Sequence, residues 1–194
     1  MALLHDAILR PTKAEVLTAW APTQEWYPSD SLGFEIVGQF RLDDPDGEVG
    51  IETLLLADAT GAVYHVPLTY RGAPREDERG LIGTLYHSVL GLRWVYDAEA
   101  DDVYRTVVAD TIRQAHHEAR LFRQHADGTV TETASTAHAW GTGPLDAAGE
   151  LALRRLVDAA TPDAAAPQSP ALQSPALLAT WAGHDEPVTL AVLH

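Results

Sequence analysis

The chain predicts an α+β fold, an antiparallel β-sheet with an N-terminal helix and a mostly β C-terminal extension. Three observations predict it. A helix start is written early, where Pro11 and Thr12 are followed by Glu15 three residues after the threonine. Three strand segments come next, the alternating Phe34–Leu42, then Glu48–Ala57 and Ala62–Tyr70, parted by clustered turn formers. Two further hairpin signals, Ala126-Asp127-Gly128 and Gly183-His184-Asp185-Glu186, lie in the C-terminal half.

The elements follow in order. Residues 2–10 read as one short strand. The helix then opens at Pro11-Thr12, with Thr12 as cap and Glu15 completing a capping box. Val16, Leu17 and Trp20 share one face at helical spacing, and Pro22 ends the run. Core packing is the expectation for Trp20 and Trp26, since large aromatics beside a sheet anchor it. The meander turns at Asp43-Asp44-Pro45-Asp46-Gly47 and at Asp58-Ala59-Thr60-Gly61. Arg71–Arg79 is a charged, exposed loop. Leu81–Leu90 and Leu92–Tyr96 are strands that turn at Gly91. Asp101 or Asp102 caps a second helix that runs to about Gln114, with Val103, Val107 and Thr111 on one face. Glu118–His125 and Thr129–His138 flank the next hairpin turn. Gly149–Val157 fits neither the helical nor the strand period, and both assignments stay open. Residues 158–176 are a low-complexity linker in which Gln168–Leu172 is repeated at once as Gln173–Leu177, and mobility is expected there. Leu177–Trp181 and Pro187–Leu193 form a final hairpin.

Composition excludes several functions. The 194 residues carry a formal net charge of -15, which opposes nucleic acid and anionic membrane surfaces, because phosphate binding needs clustered Lys and Arg. No apolar run approaches the roughly 20 residues that span a bilayer. The start lacks a basic segment followed by an apolar one, so no secretory signal is expected and the location is read as cytoplasmic. With no cysteine there is no disulfide, thiolate nucleophile or zinc-thiolate site. Asparagine is also missing, and Lys13 is the single lysine beside twelve arginines.

No metal or catalytic constellation emerges. His116-His117-Glu118 lacks the spacing of a His-Glu-x-x-His motif, and adjacent side chains diverge. His125 and His138 can approach across their hairpin, but two histidines do not make a site. Asp44-x-Asp46-Gly47 is a fragment of a calcium loop without the remaining ligands. No Gly-x-Ser-x-Gly elbow exists, and the neighbours His87 and Ser88 point to opposite sheet faces. No catalytic residue, metal ligand or cofactor is assigned.

A resemblance adds to this. His5–Glu15, Trp20 and the corner Gln24-Glu25-Trp26-Tyr27 resemble the opening of the N-terminal cap domain of actinobacterial maltokinases. His65-Val66-Pro67-Leu68-Thr69-Tyr70-Arg71 is similar to a strand of that family, and Ile82-Gly83-Thr84, Val95-Tyr96-Asp97-Ala98 and the helix after Asp102 to its next segments. Standalone cap-like proteins share Leu42-Asp43-Asp44-Pro45, Gly47–Glu52 and His87–Gly91. The resemblance covers about residues 3–115. It implies a cystatin-like sheet curled around the N-terminal helix in residues 1–115. A β extension at 116–157, the linker at 158–176 and a hairpin at 177–194 packing on the main sheet complete the division.

The resemblance also raises phosphoryl transfer. Such a kinase needs a strand lysine, a catalytic Asp, an Asn and a second Asp for magnesium. Here Asn is missing and Lys13 stands at a helix start, so no kinase activity is expected in cis. Glucan branching needs two opposed carboxylates on a barrel of about 250 residues, and the acids here sit in turns and caps. The leading expectation is a non-catalytic accessory or regulatory protein. It would bind a kinase or another enzyme of α-glucan, glycogen, maltose or trehalose metabolism. A small-molecule or oligosaccharide binder is the alternative, and an enzyme of unrecognised chemistry the third. A second copy of the chain is kept as a further partner. The binding candidates are Trp26, Tyr27, Trp94 and Tyr96, with His65 and His87, because aromatic faces stack on sugars and anchor interfaces.

Overall fold

Thr12 caps the first helix as its spacing requires. In a computed structural model that describes residues 1–28, 33–144, 148–158 and 174–194, α1 runs Lys13–Trp20. The Glu15 N–H donates to Thr12 Oγ1 at 3.2 Å, and the Thr12 N–H donates to Glu15 Oε2 at 2.7 Å. Pro22 lies within a following 3₁₀ turn, Ala21–Thr23. Leu17 is buried on the inner face, and Val16 and Trp20 are half-buried beside it.

The main sheet contains β2 (Leu9–Arg10), β3 (Phe34–Leu42), β4 (Gly50–Asp58), β5 (Val63–Arg71), β6 (Leu81–His87) and β7 (Gly91–Asp97). Their order is β2-β6-β7-β5-β4-β3, with every neighbouring pair antiparallel. The expected α+β class and curled sheet hold: α1 packs on one face, where Leu17, Leu54, Leu56, Tyr64, Val66, Leu68, Leu85 and Val95 form a core.

The opposite face is covered too. Helix α2 (Asp102–Arg113) is capped by Asp101, whose carboxylate accepts from Val103 N at 3.1 Å. It buries Tyr104, Val107, Val108, Thr111 and Ile112. Beside it lies a second sheet of β10 (Ala137–Gly141), β13 (Ala176–Trp181), β14 (His184–Leu193) and β11 (Leu151–Leu153), ordered β10-β13-β14-β11. Phe40, Leu42, Ile51 and Leu55 of the main sheet share one core with α2 and this second sheet. Gly38 in β3 permits the approach, because a Cβ there would lie 3.0 Å from Trp181 Cβ and 3.1 Å from Ala137 Cβ.

Two local expectations are corrected, and one left open is resolved. Residues 2–10 are two strands, not one. Ala2–His5 (β1) pairs in parallel with β8 (Leu121–Gln124), which pairs with β9 (Val130–Thr133) in a third sheet. Asp6 is held by Arg123 and His125, whereas Ile8 N donates to Ser88 Oγ at 2.9 Å, so the chain leaves one sheet for another between them. Residues 149–157 show no clean period because they serve two sheets. Leu151 pairs with Leu193 in β14, and β12 (Leu156–Asp158) begins with Leu156 paired to Tyr64 of β5. Arg75, in the loop read as exposed, is tucked in, its backbone N–H donating to the Tyr96 hydroxyl at 2.9 Å. The expectation of a mobile linker falls largely on residues 159–173, which lie outside the described residues. Among the described residues, no helix is long and apolar enough to cross a membrane.

Candidate binding site

A cavity of about 530 Å³ opens where the N-terminal strands meet one end of the main sheet. Its apolar wall includes Leu9, Leu85 and Leu90, and its polar lining includes His5, Lys13, Arg41, Tyr70, His87 and Arg93. Strand pairing explains the convergence. Arg41 of β3 stands opposite Glu52 of β4, which stands opposite Leu68 of β5. Tyr70 follows two residues after Leu68 and therefore projects to the same face.

Glu52 forms the floor of this charged row. It is 3% exposed, a costly place for a lone carboxylate. Lys13 Nζ donates to its two oxygens at 2.8 and 2.7 Å, the Tyr70 hydroxyl donates at 2.8 Å, and Arg41 Nη2 lies 3.5 Å away. Burial by itself raises the Glu52 pKa, but the charges of Lys13 and Arg41 and the hydrogen bonds of Lys13 and Tyr70 hold it at about 2. Burial and the negative charge of Glu52 push the Tyr70 hydroxyl well above its ordinary 10. The floor is thus a fixed charge network, and neither group exchanges a proton near neutrality. Lys13, at the start of α1 as expected, neutralises a strand carboxylate.

The histidines at this site are His5 and His87, edge to face at 6.0 Å. His87 Nδ1 accepts from Val89 N at 3.2 Å and Leu90 N at 3.1 Å, so it caps the β6–β7 turn. Its pKa is lowered, first by burial and then by the charges of His5, Arg93, Arg41 and Lys13. Ser88 instead meets the backbone of Ile8. His125 faces Asp6 and Thr131, and His138 faces Glu118. Asp44 accepts from the N–H groups of Asp46, Glu48 and Val49, the work of a turn. Among the described residues, no group of three His, Asp or Glu is placed to hold a metal.

The other candidates fall on both faces of the sheet. Trp26 and Tyr27 lie on the α1 face, 5.9 Å apart, with Trp20 5.7 Å from Trp26 and Tyr64 5.2 Å from Tyr27. Arg155 closes this cluster, its guanidinium 5.1 Å above the Trp26 ring and its Nη2 donating to both Asp97 oxygens at 2.8 and 2.7 Å. Trp94 and Tyr96 alternate with Val95 and so face away from α1. Tyr96 is buried beneath Arg75. His65 is fully buried on that same far face, with Nδ1 3.2 Å from Arg154 O. Burial, then the charge of Arg155, pushes its pKa down to about 3, so the ring is neutral. Of the six candidates, Trp26 and Tyr27 pack edge to face and His87 joins the cavity; Trp94, Tyr96 and His65 lie across the sheet. Arg41, Glu52, Tyr70 and Arg93 went unread as site residues. Their signal was a lone lysine and charged residues set into otherwise apolar strands.

A third feature is the β6–β7 hairpin tip. Ile8, Tyr86, Val89, Leu90 and Leu92 are 61%, 55%, 56%, 44% and 46% exposed. Tyr86 and Leu92 are cross-strand partners, and the Arg10–Tyr86 pairing brings the β2 edge alongside.

Residues 20–101 match the family model of the maltokinase N-terminal cap domain. The chain carries a maltokinase N-terminal cap-like domain. The match begins at the last residue of α1 and ends at the cap of α2, so this cap-like segment comprises β3 to β7. Arg41, Glu52, Tyr70, His87, Arg93 and most of the apolar tip lie inside it, whereas His5 and Lys13 lie before it. The matched family is a cap, not a kinase catalytic domain. No curated protein gives a match to the chain.

Proposed function

We propose that this chain is a non-catalytic accessory protein of maltose, trehalose or α-glucan metabolism that docks on a partner enzyme of that metabolism. The cap-like segment supports the metabolic setting. The observation that carries the docking reading is the apolar tip on that segment, where Tyr86, Val89, Leu90 and Leu92 are all exposed. Contiguous exposed apolar residues of this kind mark interaction surfaces, and a central tyrosine is a frequent anchor. The locked carboxylate Glu52 and the neutral, buried His65 support a role without proton-transfer chemistry.

The test titrates the purified chain against purified maltokinase catalytic bodies, trehalose synthase and glucan-branching enzymes, with heat capacity and stoichiometry measured. One of them should bind, and Val89→Asp should weaken it by about tenfold or more, because a buried hydrophobic contact becomes a buried charge. Equal binding by Val89→Asp would remove the tip from the interface. Binding to none of these enzymes would remove the reading, and self-association through the tip would replace it with a homodimer. The cavity favours a second reading, a small-molecule binder, since its volume lies in the range of ligand sites.

A further inference from the structure

We propose that the cavity beside α1 binds a small ligand with an oxyanion head, a phosphomonoester or carboxylate, carried on an apolar body. The proposal rests on the cavity and its charges and does not depend on the docking tip.

The charge distribution is the first argument. In a chain of net charge -15, the single lysine, two arginines and two histidines line one cavity. Lys13 and Arg41 share one counterion, Glu52. The acids Asp43, Asp44 and Glu48 also line the cavity, and Arg93 adds a third cation. Among the described residues its side chain has no hydrogen bond or ion pair, although it is half-buried. An unpaired guanidinium at a cavity wall is suited to meet a carboxylate or phosphate in two parallel hydrogen bonds.

Geometry supplies the second argument. Arg93 lies on β7 opposite Leu85, on the face that carries α1 and Tyr70. Its Nη1 sits 2.8 Å from where a Cβ at residue 72 would stand, so Gly72 leaves room for the guanidinium at the cavity wall. Acids also line the cavity, but Asp43 pairs with the N-terminal amine and Asp44 is engaged by three backbone N–H groups. Glu48 is exposed. The His87 pKa is lowered first by burial and then by the charges of His5, Arg93, Arg41 and Lys13 beside it. Leu9, Leu85 and Leu90 provide the apolar wall that a ligand body would cover.

Calorimetric titration tests this with phenyl phosphate, benzoate, inorganic phosphate and maltose as probes. Phenyl phosphate or benzoate should bind at one site, more tightly than inorganic phosphate, and added salt should weaken the binding. Tighter phenyl phosphate identifies a phosphate head, and tighter benzoate a carboxylate head. Arg93→Gln should weaken the anion by about tenfold or more, the value of a charge-assisted hydrogen bond. Gly72→Val, which displaces the same guanidinium without removing it, should do likewise, and Arg113→Gln on the far end of α2 should not. Thermal melting confirms that the variants fold. Binding of maltose with neither anion, no anion binding, or equal affinity in wild type and Arg93→Gln each overturn the proposal. None of these outcomes bears on the docking titration, so the two readings fail separately.

Discussion

Replacing Glu52 by Gln should change how stability depends on pH more than it changes the fold. The folded protein holds Glu52 at about 2 against an ordinary 4.5. A depressed carboxylate stabilises the folded state above its unfolded pKa, and that stabilisation is lost as pH falls through 4.5 towards 2. A shift of this size corresponds to about 3 kcal/mol at neutral pH. By pH 3 about 2 kcal/mol of it is gone, because the unfolded chain takes up a proton that the folded chain still refuses. Exposure does not discount the figure much, since the Glu52 side chain is 4% exposed and Lys13 27%.

The assay is urea unfolding followed by tryptophan fluorescence, for wild type and Glu52→Gln, at pH 7 and pH 3. Glutamine keeps the shape but not the charge, leaving Lys13 and Arg41 without a counterion. Wild type should be the more stable protein at pH 7, and the gap between the two should close by about 2 kcal/mol at pH 3. Other carboxylates titrate in both proteins and cancel in the difference. A gap that stays constant over this range would show that Glu52 carries no depressed pKa, and the fixed charge row would no longer describe the cavity floor.

Two further outcomes follow from buried contacts. Asp101 is 1% exposed and accepts from Arg71 Nε and Nη2 at 2.8 and 2.7 Å, from Thr69 Oγ1 at 2.9 Å and from the N–H of Val103. Asp101→Ala removes a cap and a buried ion-pair partner together and should cost about 3 kcal/mol or more by chemical denaturation; under about 1 kcal/mol would mean the pair is solvated. Gly141→Ala should destabilise strongly, since its Cβ would overlap Thr111 O and lie 2.6 Å from Ile112 Cα; a thermal midpoint equal to wild type would show that α2 does not cross β10 so closely.

What the sequence disclosed was local. The capping box at Thr12 and Glu15 needs three residues of context, and the meander announces itself by alternation and turn formers. The amphipathic face of α2 was legible in Val103, Val107 and Thr111. What it hid was pairing over distance. Nothing near Leu3 announces a parallel partner at Phe122. Nothing at Leu156 names Tyr64. The charged floor was hidden for the same reason: Lys13 and Glu52 are 39 residues apart. Glu52 precedes the continuous apolar run Leu54-Leu55-Leu56, the pattern of a strand buried on both faces, and no cation stands near it in sequence. The strand is covered on both faces, and the groups that make that burial tolerable, Lys13 on α1, Arg41 on β3 and Tyr70 on β5, stand elsewhere in the chain.

Burial on both faces also bears on where function can reside. One face of the main sheet is closed by α1 and the Trp26–Tyr27–Tyr64 cluster, the other by α2 and the β10-β13-β14-β11 sheet. Backbone groups within such a sheet are paired and its side chains packed, so the middle of neither face is open to a ligand or partner. The exposed part is the β2–β6–β7 end, where β2 is only two residues long. Tyr86, Val89 and Leu92 offer side-chain contact there. The cavity opens at this same end, with His87 and Leu90 lining it from the turn that presents Val89. The apolar tip and the cavity therefore share one hairpin turn, with Leu90 exposed in the one and lining the other, and the His87 imidazole holds that turn through two backbone N–H groups.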